Sequence, residues 1–169
     1  ASSYIPTTSS AVTRAADVST SARGVDSWYN QSEGTIFTDI SPLSADSARG
    51  YLFSNGSSSQ RFGQNTDDDS LYALFMSKGG NLTSLSVAAS GMPKPIKACI
   101  AYKPGSSRGV INGDLKTLST TNNVPDAINQ VGIGFQNYGG SSGLLNGHIT
   151  RLAYFPTRLP DDKLKSITT

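Results

Sequence analysis

Three reactive residue types are almost missing from this chain. Glutamate occurs once, at Glu33, histidine once, at His148, and cysteine once, at Cys99. One Glu excludes any mechanism built on two glutamates. One His and one Cys exclude a zinc site made of paired histidines or a cysteine cluster. A single Cys also excludes an intrachain disulfide, so folding does not depend on an oxidising compartment. Charged residues are scarce as well, at 15% of the 169 positions, with a net charge of +2 and a pI of about 8.7. The basic residues are scattered, so no nucleic-acid partner is expected. No apolar run reaches the ~18–20 residues that a membrane-spanning helix needs, and no membrane insertion is expected. The polar N-terminus lacks the apolar core of a signal peptide, and a start without Met is expected of a piece cut from a longer polypeptide.

Small polar residues fill the space instead. Ser, Thr, Asn and Gly together make up 68 of the 169 residues. Strong helix formers are correspondingly few, which argues against a helical bundle. Short runs with a period of two recur along the chain. Ile36, Thr38 and Ile40 share one strand face. Tyr51-Leu52-Phe53 runs into a turn signal at Ser54-Asn55-Gly56. The continuous apolar run 71–76 suits a strand covered on both faces. Leu85, Val87 and Ala89 alternate with Ser84, Ser86 and Ala88. Ile96, Ala98, Ile100 and Tyr102 face inward, leaving Cys99 on the opposite face as a buried small hydrophobe. Asn112-Gly113 lies between two such runs and predicts a two-residue hairpin, because a type I′ turn needs positive φ at both central positions. Residues 131–135 and 148–155 are further strands, the last with Ile149, Arg151, Ala153 and Phe155 on one face. Ser and Thr are expected at outward strand positions and Gly and Asn in turns.

Residues 1–24 read as an extended lead-in packed on a single sandwich domain, 25–169. One helix is expected, at the C-terminus. Pro160-Asp161-Asp162 gives it a rigid, acidic start, Leu164 and Ile167 one buried stripe, and Leu159 a staple. It is expected to close one end of the sandwich. The pattern as a whole predicts an all-β sandwich with one short C-terminal helix.

Candidate sites follow from the loops. Asp67, Asp68 and Asp69 are the densest acidic cluster. They read as a solvated loop, with a calcium site as the weaker alternative, and no cofactor is expected. No G-x-S-x-G elbow accompanies His148, which reads as structural or surface. The Gly-rich stretch 138–143 reads as a loop joining two strands, since no phosphate-binding motif surrounds it. Sugar recognition is the remaining option. A pyranose offers an apolar C–H face to an aromatic ring and a hydroxyl edge to amides and carboxylates. Trp28-Tyr29-Asn30-Gln31 has that mixture, Asn137-Tyr138 has it again, and Arg61 suits an acidic sugar. The carbohydrate-binding candidates are therefore Trp28, Tyr29, Arg61, Asn137 and Tyr138.

Several segments carry a resemblance. They are Ser3-Tyr4-Ile5-Pro6-Thr7, Thr13-Arg14-Ala15-Ala16-Asp17, Glu33-Gly34-Thr35-Ile36-Phe37 and Ile100-Ala101-Tyr102-Lys103. Asn112-Gly113, Leu145-Asn146-Gly147-His148-Ile149, Arg151-Leu152-Ala153-Tyr154-Phe155-Pro156 and Arg158-Leu159 complete the set. In this order they resemble the concanavalin A-like (laminin G-like) jelly-roll domains of phage tail fibres and tailspikes. The resemblance implies an all-β, two-sheet antiparallel jelly-roll sandwich ending in one short C-terminal helix, a virion location exposed to the medium, host cell-surface polysaccharide as partner and a homotrimer. It assigns no binding residue. Related sandwich glucanases use a Glu-x-Asp-x-x-Glu strand motif, which a chain with one Glu cannot contain, so no enzyme is expected. A trimerising or folding-assisting fibre module without ligand is the alternative.

Overall fold

The computed structural model describes residues 19–21, 25–42, 48–54, 60–67, 71–88, 95–126, 128–133 and 147–169. Among them lie β1 (Ser19–Ser21), β2 (Gly34–Pro42), β3 (Ala48–Ser54), β4 (Gln60–Asp67), β5 (Leu71–Lys78) and β6 (Asn81–Ala88). β7 (Ile96–Tyr102), β8 (Ser107–Ile111), β9 (Asp114–Ser119), β10 (Gln130–Ile133), β11 (Gly147–Phe155) and α1 (Asp161–Thr168) follow. The strands form two sheets, one of order β1-β10-β3-β4-β5-β6 and one of order β11-β2-β7-β8-β9. Every pairing is antiparallel. The architecture is the expected jelly-roll sandwich.

Alternation builds the core. Ile36 and Ile40 of β2, and Ile96, Ala98, Ile100 and Tyr102 of β7, meet Phe62 of β4 and Leu74 and Met76 of β5 between the sheets. Val25 and Tyr29 ahead of β2, and Val124 and Ile128 after β9, join the same cluster. Each fully buried large apolar side chain contributes roughly 1.5–3 kcal/mol. The Asn112-Gly113 turn forms as expected, with φ of 46° and 81° and Ile111 opposite Asp114.

Three expectations need correction. The helix does not close an end of the sandwich. It lies on the outer face of the five-stranded sheet, where Leu164 is buried against Phe37, Cys99, Ala101 and Val110. Those outward positions are apolar, so the sheet needs a second cover, and Leu159 and Ile167 extend it. Second, β11 does not alternate throughout. Its register against β2 shifts between Ile149 and Arg151. A bulge places one extra residue in a strand and flips the side chains beyond it. Ile149 therefore packs on the core with Leu152 and Tyr154, while Arg151, Ala153 and Phe155 face outward beside the helix. Third, strand hydroxyls are not confined to solvent: Thr38 lies between the sheets with Ile36 and Ile40, as its spacing predicts, and Thr35 and Ser107 are buried as well. Thr38 Oγ1 donates to Gln64 Oε1 across the two sheets at 3.0 Å, both residues being buried. Thr35 Oγ1 donates to the Thr157 carbonyl and accepts from the Leu159 amide, each at 3.0 Å. Ser107 is buried likewise and bonds the Lys103 carbonyl at 3.1 Å. Buried polar groups persist when they are paired in this way.

Candidate functional site

Trp28 follows the short 3-10 turn Val25–Ser27, closed by the Tyr29 amide donating to the Val25 carbonyl at 2.8 Å. The turn sends the two aromatics of the pair to different places. Tyr29 is 6% exposed and belongs to the core, whereas Trp28 is 45% exposed. The Tyr29 ring stacks on Tyr154 (5.4 Å between centroids) and Tyr102 (6.0 Å), and Tyr102 in turn meets Phe62 at 4.6 Å. Trp28 stands edge-on to Tyr154 at 5.2 Å and to Tyr29 at 6.3 Å. Edge-to-face and offset contacts of this kind fix ring orientation beyond simple area burial.

Hydrogen bonds lock the pedestal to the backbone. The Tyr102 hydroxyl donates to the Asn30 carbonyl at 2.7 Å, and the Asn30 amide donates to the Tyr154 hydroxyl at 2.7 Å. The Asn30 side chain spans Pro156 and Ser32: Nδ2 donates to the Pro156 carbonyl at 2.8 Å, and Oδ1 accepts from the Ser32 amide at 2.9 Å. Gln31 pairs both ways with the Ile128 backbone, at 2.8 and 3.2 Å. Burial pushes the phenols of Tyr29 and Tyr102 well above the ordinary tyrosine value, so both remain neutral. The result is an indole held on a rigid, uncharged base.

The other candidates fall elsewhere. Arg61 lies on the outer face of the six-stranded sheet, its guanidinium 5.2 Å above the Phe75 ring, whereas Trp28 packs on β11 of the other sheet. The two are not brought together. Phe75 is buried although it faces away from Leu74 and Met76, as the apolar run implied. Asn137, Tyr138, Asp68 and Asp69 lie outside the described residues, and Asp67 is the last residue of β4. The Gly-rich loop and the segments quoted from residues 3–17 lie outside them too. His148 is exposed on β11 and Cys99 is buried. Glu33 forms an ion pair with Lys103 at 3.3 Å. Among the described residues no group of three or more His, Cys, Asp or Glu could hold a metal ion.

Sequence reasoning did not assign Tyr102, Tyr154 and Asn30 to the pedestal. The available signal was that Tyr102 ends an inward-facing row and Tyr154 lies on the strand that closes the chain, so both hydroxyls reach the same end of the sandwich.

The fold defines a two-sheet antiparallel jelly-roll sandwich. No family model matches the sequence, and no curated protein matches it. Solved structures do share the fold. A carbohydrate-binding module (CBM40) of the Ruminococcus gnavus IT-sialidase bound to alpha2,6 sialyllactose aligns with a TM-score of 0.68 at 17% identity. That alignment covers 83% of this chain and 85% of the module. The NanB sialidase from Streptococcus pneumoniae aligns with a TM-score of 0.65 at 16% identity, over 86% of this chain and 25% of the sialidase. A heptameric SAP-like pentraxin from Limulus polyphemus aligns with a TM-score of 0.57 at 17% identity, over 81% of this chain and 70% of the pentraxin.

Proposed function

We propose that this chain is a non-catalytic carbohydrate-binding domain that recognises a host cell-surface polysaccharide, carried as a homotrimer on a phage tail fibre or tailspike exposed to the medium. The observation that carries the binding reading is Trp28: a half-exposed indole set edge-on against Tyr29 and Tyr154. A rigid aromatic contributes contact area at little entropic cost, and the C–H face of a sugar matches it. Whole-domain likeness to a module solved with sialyllactose supports the same reading. The virion setting rests on the resemblance of the quoted segments to fibre and tailspike domains. The polar, hydroxyl-rich composition suits a surface that faces solvent on a particle.

A glycan array carrying sialylated glycans and bacterial capsule and lipopolysaccharide oligosaccharides tests binding, and light scattering tests assembly. Selective retention on one glycan class and a trimeric mass are expected. Absence of binding to every glycan would remove the recognition role, and a monomer would remove the homotrimer.

A further inference from the structure

A concave feature lies on the other side of the five-stranded sheet, away from Trp28. It is a pocket of about 150 Å³ between β11 and α1, lined by Phe37, Arg151, Ala153, Phe155 and Ile167. It exists because the bulge in β11 turns Arg151, Ala153 and Phe155 outward and α1 stops short of covering them. Its walls are apolar except for one cation. The Arg151 guanidinium lies 5.7 Å over the Phe37 ring, and the residue is exposed. Among the described residues Arg151 makes no ion pair. Asp39 stands directly opposite it in register and Lys97 stands beyond Asp39, yet the guanidinium sits on the Phe37 side. The Lys97 Nζ donates to the Thr169 main-chain oxygen.

This arrangement selects its ligand by chemistry. An apolar wall leaves the hydroxyls of a sugar unpaired, which is costly. A planar guanidinium at the rim matches a carboxylate, to which it can present two parallel N–H donors. A cavity of this volume accepts a body the size of one aromatic ring. We infer that the pocket binds small carboxylates that carry an apolar, ring-sized body, the carboxylate pairing with Arg151 and the body lying against Phe37, Phe155 and Ile167. This site is independent of the glycan reading, because it shares no residue with the Trp28 pedestal.

Two-dimensional amide NMR of the full chain, titrated with phenylacetate, phenylacetamide and acetate, tests it. Phenylacetate is expected to shift the amides of Ala153, Phe155 and Ile167 and to bind more tightly than either other probe. Arg151→Gln, a surface change, should weaken phenylacetate about tenfold, as loss of a charge-assisted pair implies, while Arg151→Lys retains part of the affinity. Ala153→Leu should abolish binding by filling the pocket, with dispersed amide signals reporting that the fold is kept. Equal affinity for phenylacetate and phenylacetamide, undiminished binding by Arg151→Gln, or shifts confined to other surfaces would each overturn the inference.

Discussion

The Tyr102 hydroxyl lies 3.2 Å from the Tyr154 hydroxyl, joining the last residue of β7 to the penultimate residue of β11. Asn30 closes the group by donating to one of these oxygens and accepting from the other. The loop that presents Trp28 is thus bonded to two strands of one sheet. Tyr102→Phe leaves the Asn30 carbonyl without this donor, and should cost about 1–2 kcal/mol of stability in denaturant titration. Glycan affinity should fall with it, because the loop is then less tightly held.

Gly34 opens β2 directly beneath the same ring. A Cβ built there would lie 2.6 Å from Cζ of Tyr102. Gly34→Ala should therefore destabilise by roughly 1–3 kcal/mol through overpacking. In a Tyr102→Ala background the same change should cost much less, and a double-mutant cycle measures that coupling.

Cys99 is buried beneath α1, and burial pushes its thiol up to about 12. At pH ~8 the group is then almost wholly protonated and is a poor nucleophile. Disulfide-exchange reagents should leave it unlabelled in the folded protein and label it on unfolding. Rapid labelling of the native state would contradict the burial.

Asp161 anchors the start of α1. It accepts from Arg158 and lies 3.5 Å from Arg108. Partial burial by itself would raise its carboxyl, but the hydrogen bond and charge of Arg158, then the charge of Arg108, outweigh this and hold it below the ordinary value. A carboxyl whose folded pKa is depressed contributes stability that is present above its unfolded pKa of about 3.9 and lost as pH falls through the folded value. The side chain is 41% exposed, so Asp161→Asn should cost only about 0.2–1 kcal/mol at neutral pH. The gap from wild type should narrow as pH drops below about 4.

Most of the sandwich was legible because its core strands obey a period of two. Ile36, Ile40, Ile96, Ile100 and Tyr102 all face inward as their spacing predicts. β4 was not legible. Its sequence, Gln60 to Asp67, holds one large apolar residue, Phe62, and its second core position is Gln64, which is buried and accepts a hydrogen bond from Thr38 on the other sheet. No local pattern carries a partner 26 positions away. The flip of Ile149 was hidden for a similar reason, since a bulge shows itself only against the neighbouring strand. At the candidate site, Trp28 was singled out as an aromatic in a polar loop, and the structure exposes it. Tyr29 has the same local signature but is buried, because its fate depends on Tyr102 and Tyr154, remote in sequence.

The proposed sugar platform is Trp28. Calorimetric titration of wild type and Trp28→Ala with the glycan best retained on the array, for which sialyllactose is the first probe, tests it. Measurable binding by wild type and at least a tenfold loss in the variant are expected, since stacking on an aromatic contributes about 1–3 kcal/mol where it has been measured for nucleic-acid bases. Circular dichroism should be unchanged, because the indole is half outside the core. Equal affinity of the two proteins would contradict a sugar platform at Trp28.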